Sequence, residues 1–188
     1  MRNSKMKNTA FIAVMTAVLC VLAPLSIPIG PVPISLTNFV LAVTIYILGT
    51  KKAMVSYFIY LLIGLIGIPV FSGFSGGPQK LFGPTGGYLI GFIPFILIAG
   101  VVIDRMYTRR AISFIALAVG TAVLYAFGTA WLAFSAHLTF GAALAAGVIP
   151  FIWEDALKMA AAAIIGPVLR DRLSHAGLLP QAVRESQR

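Results

Sequence analysis

Three ionisable side chains, Glu154, Asp155 and Lys158, stand near the start of a run from Ile149 to about Leu169 that is otherwise apolar and rich in alanine. On a helix, Lys158 follows Glu154 by four positions and Asp155 by three, so its ammonium reaches either carboxylate across one turn. An acid beside a base in such a run suits recognition of a polar ligand that carries both donors and acceptors, or movement of a proton. The bland alternative is a self-neutralising pair that plugs a bundle. Burying an ion pair seldom adds stability by itself. An unpaired charge in hydrocarbon costs at least ~2.5–3.5 kcal/mol, so such residues normally face a bundle interior or a wet cavity and mark function. The run is long enough to span a bilayer, which makes the three groups a candidate binding site at membrane depth.

The elements that must position them follow from composition. Of 188 residues, 60% are hydrophobic and 10% charged, with a mean hydropathy of +0.98; soluble domains carry about 25% charged residues. The apolar runs do not alternate with polar residues, which excludes a closed barrel. The chain reads as one all-α, polytopic membrane domain over residues 1–188. Six spans are expected, at about 9–25, 36–48, 53–68, 87–106, 111–136 and 147–169. The basic N-terminus resembles a signal peptide, but its apolar run leads into Pro24 and a Pro/Gly-rich segment rather than a polar mature domain, so it is read as the first span. One cysteine, Cys20, provides neither a disulfide framework nor a thiolate metal site, and a lone His137 has no partner at ligand spacing. No metal and no cofactor is expected.

The net charge of +9 is an orientation signal. With the N-terminus inside, the inner segments hold Arg2, Lys5, Lys7, Lys51, Lys52, Arg105, Arg109, Arg110, Arg170, Arg172, Arg184 and Arg188, while the outer connections hold only Lys80. That asymmetry follows the positive-inside rule and puts both termini in the cytoplasm. Nucleic acid is excluded as a partner on the same ground.

Two connections stand out. Four prolines fall in the ten residues from Pro24 to Pro33, which forbids a regular helix in an uncharged segment expected to fold over the outer mouth. Between Gly67 and Tyr88 lie seven of the protein's 18 glycines, interleaved with Phe71, Phe74, Phe82 and Tyr88. Glycine permits close approach and aromatic rings supply flat contact area, so this loop reads as a lid. It contains no Gly-x-x-x-x-Gly-Lys-Ser/Thr, nor does the rest of the chain, so energy for any transport must come from outside. In the first span Ala13 and Ala17 form a small-xxx-small pair, which lets another helix approach closely in lipid or packs within the bundle. The polar segment after Leu169 is expected to be a frayed tail.

The run Gly83-Pro84-Thr85-Gly86-Gly87-Tyr88-Leu89-Ile90-Gly91-Phe92, with Phe71-Ser72-Gly73 and Gly76-Gly77 before it, resembles the signature of the BioY family, the biotin-specific S components of energy-coupling-factor (ECF) vitamin transporters. Pro31 to Leu36 resembles that family's first loop, and Pro150 to Lys158 its last-helix motif; the likeness covers about residues 10–170. Two departures are Thr37, where the family often has glutamine, and Trp153-Glu154, where it often has Pro-Gly before the aspartate. The resemblance implies a six-helix subunit of the bacterial plasma membrane, its pocket capped by the first and third loops. Its ligand set would be Asp155, Lys158, Glu154, Trp153, Phe74, Gln79, Phe82, Tyr88 and Thr37, with biotin bound and no catalysis. Asp155 would accept from the ureido N–H groups, and Lys158 would donate to the ureido carbonyl or to the carboxylate. Ala13 and Ala17 would dock on a membrane coupling subunit driven by two ATPases.

Two rivals belong to other classes. An intramembrane enzyme would use Glu154, Asp155 and Lys158 for acid–base work, but no nucleophile–base constellation accompanies them. A stand-alone secondary carrier for biotin or another small carboxylated vitamin would need no motor; no inverted repeat is visible in its favour.

Overall fold

The computed structural model describes residues 2–178. Eight helices follow one another: α1 Arg2–Leu22, α2 Thr37–Leu48, α3 Thr50–Leu65, α4 Pro78–Phe82, α5 Gly86–Met106, α6 Arg110–Ser135, α7 Phe140–Gly147 and α8 Ile152–His175. Between α1 and α2 the proline-rich connection forms a two-residue antiparallel ladder, β1 Ser26–Ile27 on β2 Ile34–Ser35, paired Ser26↔Ser35 and Ile27↔Ile34. Among the described residues, α5 and α6 are long and apolar enough to cross a membrane, while Met6–Leu22 and Thr37–Leu48 are shorter apolar helices.

The chain departs from the sequence reading around α7 and at both ends of the last long helix, and the glycine-rich connection contains the short helix α4. The segment between the fifth and sixth expected spans contains α7, whose start is capped by Thr139, its hydroxyl accepting from the Ala142 N–H at 3.3 Å. The last long helix begins at Ile152 rather than 147. Pro150 has no N–H and its ring excludes the carbonyl four residues back, so α7 stops at Gly147 and the chain restarts through a 3-10 turn, Ile149–Phe151. At its other end α8 continues to His175, so residues 170–175 are helix rather than tail; residues beyond 178 lie outside the described part.

α5 and α6 pack along each other, α8 lies against α2 and α6, and α1 against α2 and α3. Leu41, Ile45, Phe95, Ile96 and Ile103 are fully buried between them. Buried tyrosines need a partner for the hydroxyl, and Tyr57 finds one in the Leu89 carbonyl at 2.6 Å. Gly49, in left-handed backbone at φ 74°, turns α2 into α3 within one residue, where a side chain would be strained. Large apolar side chains point outward on α1, α3 and α6, among them Val21, Leu62, Ile115 and Phe134; lipid, not water, is the solvent that accommodates such a surface.

The two long connections meet at one end of the bundle. The Gly73 N–H donates to the Pro24 carbonyl at 3.1 Å, joining the 66–85 loop to the 23–36 loop. Trp131 of α6 donates its indole N–H to the Gly83 carbonyl at 2.9 Å, tying the same loop down after α4.

Candidate functional site

At the loop end, a cleft enclosing about 640 Å³, its open mouth included, runs between the two loops and α2, α5, α6 and α8. Its polar wall is built on the first turn and a half of α8. Glu154 and Asp155 occupy the first turn, where the helix dipole favours negative charge. Lys158, one turn on, pairs with Glu154 Oε2 and lies 3.4 Å from Asp155 Oδ1. Its Nζ also donates to the Ser35 carbonyl on β2 at 2.6 Å.

Asp155 is held from two further helices. Asn38, in the first turn of α2, donates its side-chain amide to Oδ1, and Tyr125 of α6 donates its hydroxyl to Oδ2 at 2.5 Å. Hydrogen bonds to an ionised group are about twice as strong as neutral ones, so the carboxylate draws α2, α6 and α8 together at this point. Glu154 and Asp155 are buried, at 7% and 6% exposure.

Of the residues named from sequence, Asp155, Glu154, Lys158, Thr37 and Tyr88 line the cleft. Tyr88 presents its ring while its hydroxyl donates to the Gly147 carbonyl at 2.9 Å, fixing the start of α5 to the end of α7. The ring has room because residue 128 is glycine; a Cβ there would stand 2.3 Å from the Tyr88 ring. Four named residues do not reach the cleft. Trp153 is 65% exposed, because two positions before Asp155 is about 200° round a helix. Phe82, at the end of α4, is 69% exposed, and Phe74, in left-handed backbone at φ 52°, is 65% exposed. Gln79 turns its amide back to the Gly76 carbonyl at 2.8 Å.

Among the cleft residues not named from sequence are four polar ones that matter to its chemistry, Asn38, Tyr125, Ser35 and Lys80. An amide at the head of the apolar stretch 37–48 was a usable signal, since a buried amide demands a partner. Tyr125 carried no such signal in an aromatic-rich helix. Lys80 comes from α4, inside the glycine-rich loop, and is half-buried; that burial pushes its ammonium below the usual lysine range. Among the described residues, its ammonium forms no ion pair or hydrogen bond, and no group of three or more His, Cys, Asp or Glu side chains is placed to hold a metal ion.

Away from the cleft, Ala13 and Ala17 are exposed on α1 and line an apolar groove with Ile59 and Ile63 of α3.

A sequence model of the BioY family matches residues 1–175. The chain is 34% identical over 175 residues to the biotin transporter BioY2 of Lactococcus lactis subsp. cremoris, covering 93% of this chain and 96% of that one. It is 39% identical over 166 residues to the probable biotin transporter BioY of Pyrococcus horikoshii, covering 88% and 98%. Its fold superposes on the crystal structure of the S-component for biotin from an ECF-type ABC transporter with a TM-score of 0.84, at 30% identity, over 91% of this chain and 94% of that one.

Proposed function

The chain belongs to the BioY family, and from that premise we propose that it is the membrane S subunit that binds biotin and brings it into the cell with an ATP-driven ECF coupling module. The observation that carries this reading is the cleft at the loop end, where Asp155, Glu154 and Lys158 meet Asn38 and Tyr125 within a fold shared with a biotin S-component. Biotin presents two ureido N–H donors, a ureido carbonyl, an apolar thioether ring and a carboxylate tail. The carboxylates of α8 accept from the ureido N–H groups. Tyr88, Phe92 and Phe151, which line the same cleft, give the ring an apolar wall.

Charge and surface suggest how the subunit sits in the membrane and meets its partner. The basic inner segments favour a cytoplasmic position for both termini, and in this reading six apolar segments, the shorter apolar stretches of α1 and α2 among them, cross the bacterial plasma membrane. The cleft then opens outward beneath the 66–85 loop, which acts as a lid. Ala13 and Ala17 present a low surface on α1 for a helix of the coupling subunit, which brings the ATPases this chain lacks. The protein performs no catalysis of its own.

Purified protein tests the reading. Mass spectrometry should find biotin co-purifying at one per chain, and calorimetry on stripped protein should return saturable biotin binding. Absence of both sinks the proposal. Proton-driven biotin flux into vesicles holding this chain alone would favour the stand-alone carrier instead.

A further inference from the structure

We propose that Lys80, on the lid, is the residue that reads the ligand's carboxylate, and that Lys158 is a positioning residue whose donors are spent on the protein. The inference rests on the biotin reading above and assigns the two ends of that ligand to two different lysines.

An ammonium has three N–H donors and no acceptor. Lys158 directs its own at three protein acceptors, the Ser35 carbonyl, Glu154 Oε2 and Asp155 Oδ1. A ligand carboxylate could win one of them only by breaking a bond already made. It would also approach two carboxylates held by a single ammonium, a cluster with a net negative charge. Such a wall repels an anion and attracts N–H groups, which suits the ureido end. A carboxylate offers about four lone-pair sites; Asp155 has filled three, with Asn38, Tyr125 and Lys158, and Glu154 meets Lys158. Vacant acceptor capacity therefore remains on the two carboxylates, whereas the Lys158 ammonium has no donor left over.

Lys80 has the opposite balance. It lines the same cleft, from α4 in the 66–85 loop, and its ammonium has no acid or carbonyl partner among the described residues. A half-buried cation without a counter-ion is disfavoured by lost hydration; a carboxylate arriving with the ligand supplies the missing charge and acceptors. Because Lys80 belongs to the lid, the contact forms between ligand and lid rather than ligand and bundle. The charge of the tail is thus read by the element that closes over it.

The test compares biotin with biotinamide, whose tail is neutral and nearly isosteric, on the full-length protein stripped of ligand. Loss of one hydrogen bond to a charged group corresponds to about ten- to a hundred-fold in affinity. Wild type should prefer biotin by that order. Lys80→Gln should weaken biotin by a similar factor and leave biotinamide unchanged, erasing the preference, while Lys80→Arg should keep most of it. Equal weakening of both ligands by Lys80→Gln, or no weakening of either, overturns the assignment. If wild type binds biotin but does not distinguish it from biotinamide, the assignment falls and the biotin reading stands. If wild type binds neither, the biotin reading falls and takes the assignment with it.

Discussion

Helix α8 carries buried charge at both ends, and the two clusters differ in what surrounds them. At its start, Glu154, Asp155 and Lys158 line a cleft and share hydrogen bonds with α2, α6 and a loop. Toward its other end, Arg170 is fully buried with its guanidinium 4.1 Å over the Tyr107 ring, and the charges of Asp104 and Asp171 lie near it. Tyr107 donates to Asp171 at 3.2 Å, and Asp104 accepts from both the N–H and the hydroxyl of Thr50, at 3.0 and 2.6 Å. This second cluster ties the α2–α3 corner to α5 and α8, and Arg170 lines neither the cleft nor the α1–α3 groove. Two ionic clusters in one bundle therefore need not share a purpose. Groups facing open space can exchange a protein partner for a ligand; a guanidinium as fully buried as that of Arg170 can only hold the fold.

The largest effect is expected at Lys158. Lys158→Met leaves Glu154 and Asp155 without their shared cation, and removing one partner of a buried pair costs about 3–5 kcal/mol. Both biotin affinity and thermal stability should fall, and Glu154→Gln added to it should recover part of the stability but not the affinity. Wild-type biotin binding by the well-folded single variant, measured by calorimetry, would show that the cluster at the start of α8 is no part of the biotin site.

At the other end, Arg170→Met should cost about 3 kcal/mol of stability for the same reason, since Asp104, Asp171 and the Tyr107 ring lose their cation. Here the melting temperature should drop while the biotin dissociation constant of the folded fraction stays as in wild type. A parallel loss of affinity would show that the two clusters act as one unit. Below both falls Tyr125→Phe, which removes a hydrogen bond to an ionised carboxylate, about 1.5–3 kcal/mol. Its effect should read mainly as weakened biotin binding in a titration, because the freed Asp155 oxygen is left beside the cleft, where water can reach it.

The sequence made the α8 cluster legible because spacing on one helix is local: four and three residues place Lys158 over Glu154 and Asp155 whatever the rest of the chain does. It did not reveal Asn38 or Tyr125, because their meeting with Asp155 spans 117 and 30 residues and depends on which faces of α2 and α6 turn inward. The aromatics between residues 67 and 88 mark the same boundary. Phe71 and Tyr88 are buried while Phe74 and Phe82 are exposed, and a glycine-rich segment broken into loop, a five-residue helix and the start of α5 has no single periodicity that would sort one pair from the other. Long helices were readable from apolar length. The short helix α7 and the 3-10 turn before α8 depended on Thr139 and Pro150, single residues whose effect is decided by what packs around them.

The smallest expected effect probes the far end without removing a charge. Thr50 sits at the first position of α3, where the leading N–H groups of a helix have no partner within it. Asp104 of α5 supplies that partner and also accepts the Thr50 hydroxyl, so a side chain from another helix does the work of a cap. Thr50→Val keeps the shape and the backbone N–H bond but deletes the hydroxyl bond to a carboxylate. The loss should be about 1–2 kcal/mol, the lower part of the range for a hydrogen bond to a charged group, because the N–H contact and nearby Arg170 still serve Asp104. It should appear as a modest fall in melting temperature with no change in biotin affinity and none in the preference for biotin over biotinamide. A binding defect larger than the stability defect would mean that the α2–α3 corner transmits strain to Asn38, at the opposite end of α2. The far cluster would then be part of the site it has been set against.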